Sequence, residues 1–260
     1  MLRRIGDIAV EVRGEGPTLL FLHGIGGSAH NWAAQLDRFA DRYQVAAWDA
    51  RGYGESGGVV EQFEQFADDA AAVIDALGGR AHVVGLSMGG RIALDLAHRY
   101  PDRLHSLTLA NTSAGSAETA APEKVAAFLA LRLKPLVEDG LTPADIAESI
   151  VSGIAGPNIS AEAREALLDS HRRLHKDGYI AAMKAVTGFT AFPDFGSLNV
   201  PCLVLTASED RVAPPTHARL MAERIPGARF AELARAGHIS NIEAPEAFNA
   251  ALGAFLDELA

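Results

Sequence analysis

Ala81-His82-Val83-Val84-Gly85-Leu86-Ser87-Met88-Gly89-Gly90 is the stretch that decides the fold. Its first six residues are a short apolar run with the character of a buried strand, and Met88 to Tyr100 has the character of a helix. A serine therefore stands on the sharp turn between strand and helix. A serine hydroxyl is a weak nucleophile and works only when held within reach of a base. The glycines on either side remove Cβ atoms where strand and helix would collide. Alone, Gly-x-Ser-x-Gly arises by chance in glycine-rich loops, and its serine can simply cap a helix. Three other signals, each just after a separate predicted strand, argue for chemistry.

Upstream, Thr18-Leu19-Leu20-Phe21-Leu22 runs into His23-Gly24-Ile25-Gly26-Gly27-Ser28. A glycine-rich turn leaving a strand can aim a backbone N–H into a cleft. Downstream, Cys202-Leu203-Val204-Leu205-Thr206 is followed by Asp210, and Arg229-Phe230-Ala231-Glu232-Leu233 by His238. Taken singly, Asp210 is a turn acid beside a proline-rich stretch, and His238 is one of nine histidines. Taken together, the order Ser, Asp, His after three strands reads as a nucleophile, the acid that orients the base, and the base.

The rest of the chain alternates in the same way. Residues 2–13 read as an antiparallel hairpin broken at Gly6-Asp7. Strands are expected at 18–22, 44–48, 81–86, 104–110, 200–206 and 228–233, with helices at 29–42, 61–77, 88–99, 215–224 and 245–258. Such alternation predicts an α/β fold, a mostly parallel twisted sheet with helices on both faces. Between Thr112 and Leu198 the strand signal stops, and helices are expected at 122–139, 143–152, 160–175 and 177–187.

On these motifs the chain resembles the α/β-hydrolase superfamily, over nearly all of its length outside the helical stretch. The resemblance implies a core of residues 1–112 and 198–260 and a helical cap, 113–197, over Ser87. It implies catalytic Ser87, Asp210 and His238, with an oxyanion hole made by the backbone N–H groups of Ile25 and Met88. Asp49-Ala50-Arg51-Gly52-Tyr53-Gly54-Glu55-Ser56 matches a turn of that family, with a structural role expected for Asp49 and an Arg-Asp pair bracing the loops. Leu86 to Gly90, Ala110-Asn111-Thr112, Pro214 to Arg219 and His238 to Asn249 are similar to the 3-oxoadipate enol-lactonase group, whose members open an enol-lactone. The His23-Gly24 turn departs from that group's Ser-Asn type and tilts the reading toward a general carboxylesterase.

The expected activity is hydrolysis of a small-molecule ester or lactone through an acyl-enzyme on Ser87. The alternatives are a C–C bond hydrolase, a cofactor-free perhydrolase and a ligand-sensing homologue without catalysis. Substrate contacts are sought at Trp32, behind the glycine-rich turn, though core packing is the usual role of a tryptophan. They are sought also at Leu129 and Leu133, in an apolar stripe with Leu136 and Val137, and at Phe189 and Phe192 near the return to the sheet. Such residues favour a small or medium apolar acyl group. A carboxylate-bearing lactone needs Arg132, Arg172 or Arg173 turned inward.

A net charge of −10 argues against nucleic-acid and anionic-membrane partners. The 260 residues, 48% hydrophobic and 22% charged, are ordinary for one globular α/β domain with an insertion. The single cysteine, Cys202, excludes an internal disulfide. No apolar leader or membrane span appears, so a cytoplasmic location is expected. His171 and His175 have a metal-binding spacing, but Arg172-Arg173 between them oppose a cation, and no metal or cofactor is expected. Oligomeric state leaves no trace in the sequence.

Overall fold

The computed structural model describes residues 1–113, 122–189 and 194–259. Eight strands form one sheet in the order β1-β2-β4-β3-β5-β6-β7-β8. The strands are β1 (Leu2–Ile5), β2 (Ile8–Arg13), β3 (Thr18–Leu22), β4 (Gln44–Asp49), β5 (Ala81–Leu86), β6 (Leu104–Ala110), β7 (Cys202–Ala207) and β8 (Arg229–Leu233). The β1/β2 and β2/β4 pairs are antiparallel, and every other pair is parallel.

The central strands read as continuous apolar runs because both their faces are covered. Leu20, Leu22, Ala46, Trp48 and Val83 face α2 (Glu64–Leu77), α3 (Met88–Arg99) and α8 (Pro215–Arg224). Leu19, Phe21, Val45, Ala47 and Val84 face α1 (Ala33–Phe39) and α10 (Pro245–Asp257). Cys202 lies in this interior, 1% exposed, where burial pushes its thiol up to about 12.

The expected helix 29–42 is shorter. A 3-10 turn, Ala29–Trp32, leads into α1, which stops at Phe39, and the Arg42 and Tyr43 N–H groups close back on the Phe39 carbonyl. Among the described residues, four α-helices lie between β6 and β7: α4 (Pro122–Val137), α5 (Pro143–Ile154), α6 (Ala161–Arg172) and α7 (Lys176–Gly188). The expected helix 160–175 is shorter here. It ends at Arg172, and His175 instead precedes α7, so His171 and His175 do not share a helix face. The short α9 (Ser240–Glu243) follows the His238 loop.

Topology gives the site its location. From β3 the chain steps outward to β4, then returns past β3 to β5 and continues the other way. In an open parallel sheet the crevice at such a reversal, beyond the carboxyl ends of the strands, is where ligands bind. The turn after β3 and Ser87 after β5 stand on either side of it.

Candidate active site

Ser87 has φ 55° and ψ −114°, a conformation that costs a non-glycine residue roughly 1–3 kcal/mol. Its neighbours hold it there. The Ser87 N–H donates to the Ala110 carbonyl at 2.9 Å, and the Thr112 hydroxyl donates to the Ser87 carbonyl at 2.8 Å. The flanking glycines are needed for close approach. A Cβ on Gly85 would lie 2.1 Å from the Gly89 carbonyl oxygen, and one on Gly89 would lie 2.1 Å from that of Leu22.

The structure brings Ser87, Asp210 and His238 into one chain of hydrogen bonds. His238 Nε2 is 2.9 Å from Ser87 Oγ, and His238 Nδ1 is 2.9 and 3.1 Å from the two Asp210 oxygens. A carboxylate can only accept, so Nδ1 carries the proton and Nε2 is left to accept from the serine hydroxyl. His238 and Asp210 are each 4% exposed. Burial acts against the Asp210 charge. The bond from His238, the N–H groups of Val212 and Ala213 at 2.8 Å each and the Asn111 amide at 3.0 Å outweigh it, and the carboxyl sits below its usual range.

Gly24 packs against Ser87, since a Cβ on Gly24 would lie 3.1 Å from Ser87 Cβ. The Gly27 N–H donates to the Gly24 carbonyl, closing a turn in which Gly26 has φ 81°. In such a turn the third residue must adopt positive φ, and the N–H of the second residue, Ile25, is not used by the turn. Met88 is the first residue of α3, and its N–H has no carbonyl within the helix. His23 braces the turn from behind. Its Nε2 accepts from the Ala50 N–H at 3.0 Å and its Nδ1–H donates to the Gly24 carbonyl at 2.8 Å. Burial pushes the His23 pKa down, which keeps the ring neutral.

Several supporting residues have no role assigned from the sequence, although Asn111 and Glu243 lie in stretches that carry the family resemblance. Asn111 leaves β6 with φ 45°, accepts from Ser240 Oγ at 2.5 Å and hands its own amide to Asp210. Its position at the carboxyl end of a parallel strand was the available signal, the same one that marked Asp210. Glu243 accepts from the Gly237 and Ile239 N–H groups on either side of His238, at 2.9 and 3.1 Å. It also accepts from the Gly156 N–H, beyond α5, at 2.8 Å. The His238 N–H donates to the Ile154 carbonyl at 3.1 Å. Ser170 Oγ on α6 donates to the Gly26 carbonyl at 2.9 Å. The inserted helices therefore touch the backbone of both the Ile25 turn and the His238 loop.

The expected bracing pair near Asp49 is different. Arg51 pairs with Asp69 at 2.5 Å, not with Asp49, which accepts from the Ala29 and Glu55 N–H groups. The substrate-contact candidates divide. Trp32 is 1% exposed and stacks on Phe21 at 4.9 Å, so its ring belongs to the core. Phe189 stacks on Phe63 at 4.2 Å and is likewise a packing residue. Leu133 packs with Leu136, Tyr179 and Met183, and Leu129 and Ile25 lie against that cluster. Val137 is exposed, and Phe192 lies outside the described residues. Arg172 and Arg173 pair with Glu165 and Asp169 on the helix surface, and Arg132 lies over Phe128. His171 Nδ1–H donates to the Leu167 carbonyl and His175 Nε2–H to that of Gly54, so the two rings point to different partners. No described helix is long and apolar enough to cross a membrane.

Comparison with known proteins agrees with this architecture. A model of the alpha/beta hydrolase family matches residues 19–251. The chain is 30% identical over 246 residues to 3-oxoadipate enol-lactonase 2 of Acinetobacter baylyi, covering 92% of this chain and 88% of that enzyme. A thermophilic esterase from Thermogutta terrifontis superposes with a TM-score of 0.85 at 30% identity, covering 97% of this chain and 93% of the esterase. The enol-lactonase from Burkholderia xenovorans superposes with a TM-score of 0.84 at 27% identity, covering 99% and 100%. A matched family model over most of the length, carried by a sheet and an elbow of this geometry, makes this chain a member of the α/β-hydrolase family.

Proposed function

We propose that the protein is a serine hydrolase that cleaves a small carboxylic ester or lactone. The observation that carries this reading is the continuous path from Ser87 Oγ through His238 to Asp210. Ser87 Oγ attacks the carbonyl carbon while His238 Nε2 takes its proton. Asp210 holds the tautomer and stabilises the imidazolium. The N–H groups of Ile25 and Met88 receive the tetrahedral oxyanion, and donors of this kind are worth roughly 2.7–4 kcal/mol each. Collapse of the intermediate breaks the C–O bond, and His238 returns the proton to the leaving alcohol. Water, activated by the same imidazole, then releases the acid from Ser87.

In this reading residues 113–197 are the cap, and the cluster of Leu129, Leu133 and Leu136 against Ile25 sets the acyl side of the site. Two of the three cap arginines considered for a carboxylate are tied to surface acids, which favours an apolar acyl group. A fluorophosphonate probe should label the wild-type protein and not Ser87→Ala. Neutral p-nitrophenyl esters should then be compared with a carboxylate-bearing lactone by kcat/KM. Absence of labelling in a folded sample would remove the serine-hydrolase reading, and a strong preference for the acidic lactone would replace the apolar one.

A further inference from the structure

Beside the turn after β3 lies a cavity of about 20 Å3. Leu86, Leu167 and Ile239 are among its apolar walls, and Trp32, His171 and Asn241 are among its polar ones. The three polar side chains are only 1%, 2% and 2% exposed. Each has one atom without a partner among the described residues: Trp32 Nε1, His171 Nε2 and Asn241 Oδ1. A buried polar atom left unpaired costs ~1–3 kcal/mol, so three around one cavity require an explanation.

Their chemistry is complementary to one ligand. The indole N–H can only donate. His171 Nδ1 lies 2.9 Å from the Leu167 carbonyl, which can only accept, so Nδ1 bears the proton and Nε2 offers a lone pair. Asn241 Nδ2 donates to the Asn31 carbonyl at 2.8 Å, which leaves Oδ1 as an acceptor. Among the side chains that line the cavity, the atoms without a partner are therefore one donor and two acceptors. An ammonium would leave the indole N–H unpaired, and an alcohol would leave one acceptor unpaired. Water accepts one bond and donates two from a single atom. A cavity needs roughly 10–15 Å3 of this kind of space to hold one water, and two to four polar partners to retain it.

We propose that this cavity is the binding site of one ordered water molecule, which accepts from Trp32 Nε1–H and donates to His171 Nε2 and Asn241 Oδ1. The water joins three parts of the molecule. Trp32 ends the short helix that follows the Ile25 turn, Asn241 lies in α9 just past His238, and His171 belongs to α6 of the cap. The His171 ring already rests on the turn, since a Cβ on Gly26 would lie 2.4 Å from its Nε2. Together with the Ser170–Gly26 bond, the water fixes the turn against the cap and against the base loop. This site goes beyond the proposed activity and stands whichever bond the enzyme cleaves.

Two measurements test it. A high-resolution crystal structure should show one isolated solvent peak within hydrogen-bonding distance of all three atoms. An empty cavity, or rotation of the three side chains onto other partners, would overturn the proposal. Denaturant unfolding of Trp32→Phe, His171→Leu and the double variant gives an independent reading. Because the bridge can be lost only once, the double variant should fall short of the product of the single effects by about 5-fold or more in the unfolding constant. His171→Gln, whose amide oxygen can accept in place of Nε2, should retain both the peak and the coupling. Multiplicative single effects, with no peak in the wild type, would leave no water site.

Discussion

At the carboxyl edge of the sheet, each candidate residue follows a strand, three of these strands lying between two neighbours and the fourth, β8, at the sheet's edge. Ser87 follows β5, Asn111 follows β6, Asp210 lies beyond β7 and His238 beyond β8. The inserted helices reach the same site differently. Ile154, Gly156 and Ser170 meet the loops through backbone groups and small side chains, while Phe128, Leu131 and Val137 on α4 remain in solvent. The sheet edge holds the candidate groups at fixed positions, and the insert meets them through close backbone contacts. Chemistry should therefore be lost by side-chain changes in the first region and by backbone crowding at its seam with the second.

The largest effect expected is on the sheet side of that contrast. Ser87→Ala should leave only the acceleration from binding and oxyanion stabilisation, about 10³–10⁴ over water in studied triads, with unchanged thermal unfolding. Asp210→Asn should lose somewhat less, because the imidazole stays but its tautomer is no longer enforced. Initial rates on a p-nitrophenyl ester measure both, and near-wild-type turnover by a folded Ser87→Ala protein would sink the assignment.

Backbone crowding gives the next effect. A Cβ on Gly237 would lie 2.3 Å from the Gly156 nitrogen, whereas one on Gly153 meets nothing within 4 Å. Gly237→Ala should cost about 1–3 kcal/mol of stability and lower kcat by displacing His238. Gly153→Ala, inside α5, should stabilise by roughly 0.5–1 kcal/mol and leave kcat alone. Equal tolerance of both changes in chemical denaturation and turnover would erase the distinction between the two regions.

A pH titration of stability divides the regions less sharply. His23 and His82 in the core and His171 in the insert all have pKa values lowered by burial, that of His82 to about 4. The unfolded chain takes up these protons first, so their contribution is complete above about 6.5 and is lost as pH falls through the native values. Asp210, also held low, keeps its contribution down to about 4 and loses it only below that. The midpoint of thermal unfolding should fall from pH 7 to pH 5, and His171→Gln should flatten part of that slope. A midpoint constant over this range would contradict the lowered pKa values of these rings.

The smallest effect concerns the insert surface. Arg172→Gln and Arg173→Gln break exposed pairs, so each should leave the thermal unfolding midpoint close to that of the wild type and kcat/KM for a neutral ester unchanged. A selective loss on an acidic lactone would show instead that one of these side chains turns toward substrate.

The difference between the regions also explains what could be read from the chain. Strands buried on both faces leave unbroken apolar runs, and a glycine-flanked serine at the end of one has few other uses. Ser87, Asp210 and His238 therefore stand out in the sequence. Asn111 and Glu243 lie in matched stretches, but their roles do not stand out, because their partners are the Asp210 carboxylate and three backbone N–H groups, each distant in the chain or carrying no residue identity. Trp32 and Phe189 look alike as pocket or packing residues until Phe21 and Phe63 are seen against them. The break between α6 and α7 is expected from the sequence but falls earlier, at Arg172 rather than His175, because Arg173 and Leu174 are good helix formers and give no local stop signal, while the chain there turns toward the His175–Gly54 bond.

The glycine contacts set a rule for anyone wishing to exchange parts between relatives. Gly156 meets Gly237, and a Cβ on Gly178 would lie 2.0 Å from the Gly52 carbonyl oxygen. Each pair has one partner in the insert and one in the scaffold. A chimera that imports a foreign segment between β6 and β7 must bring glycine to both seams, or trim the scaffold side to match. Choosing donors by these two positions, before any consideration of what they hydrolyse, should separate transplants that seat from those that ride high.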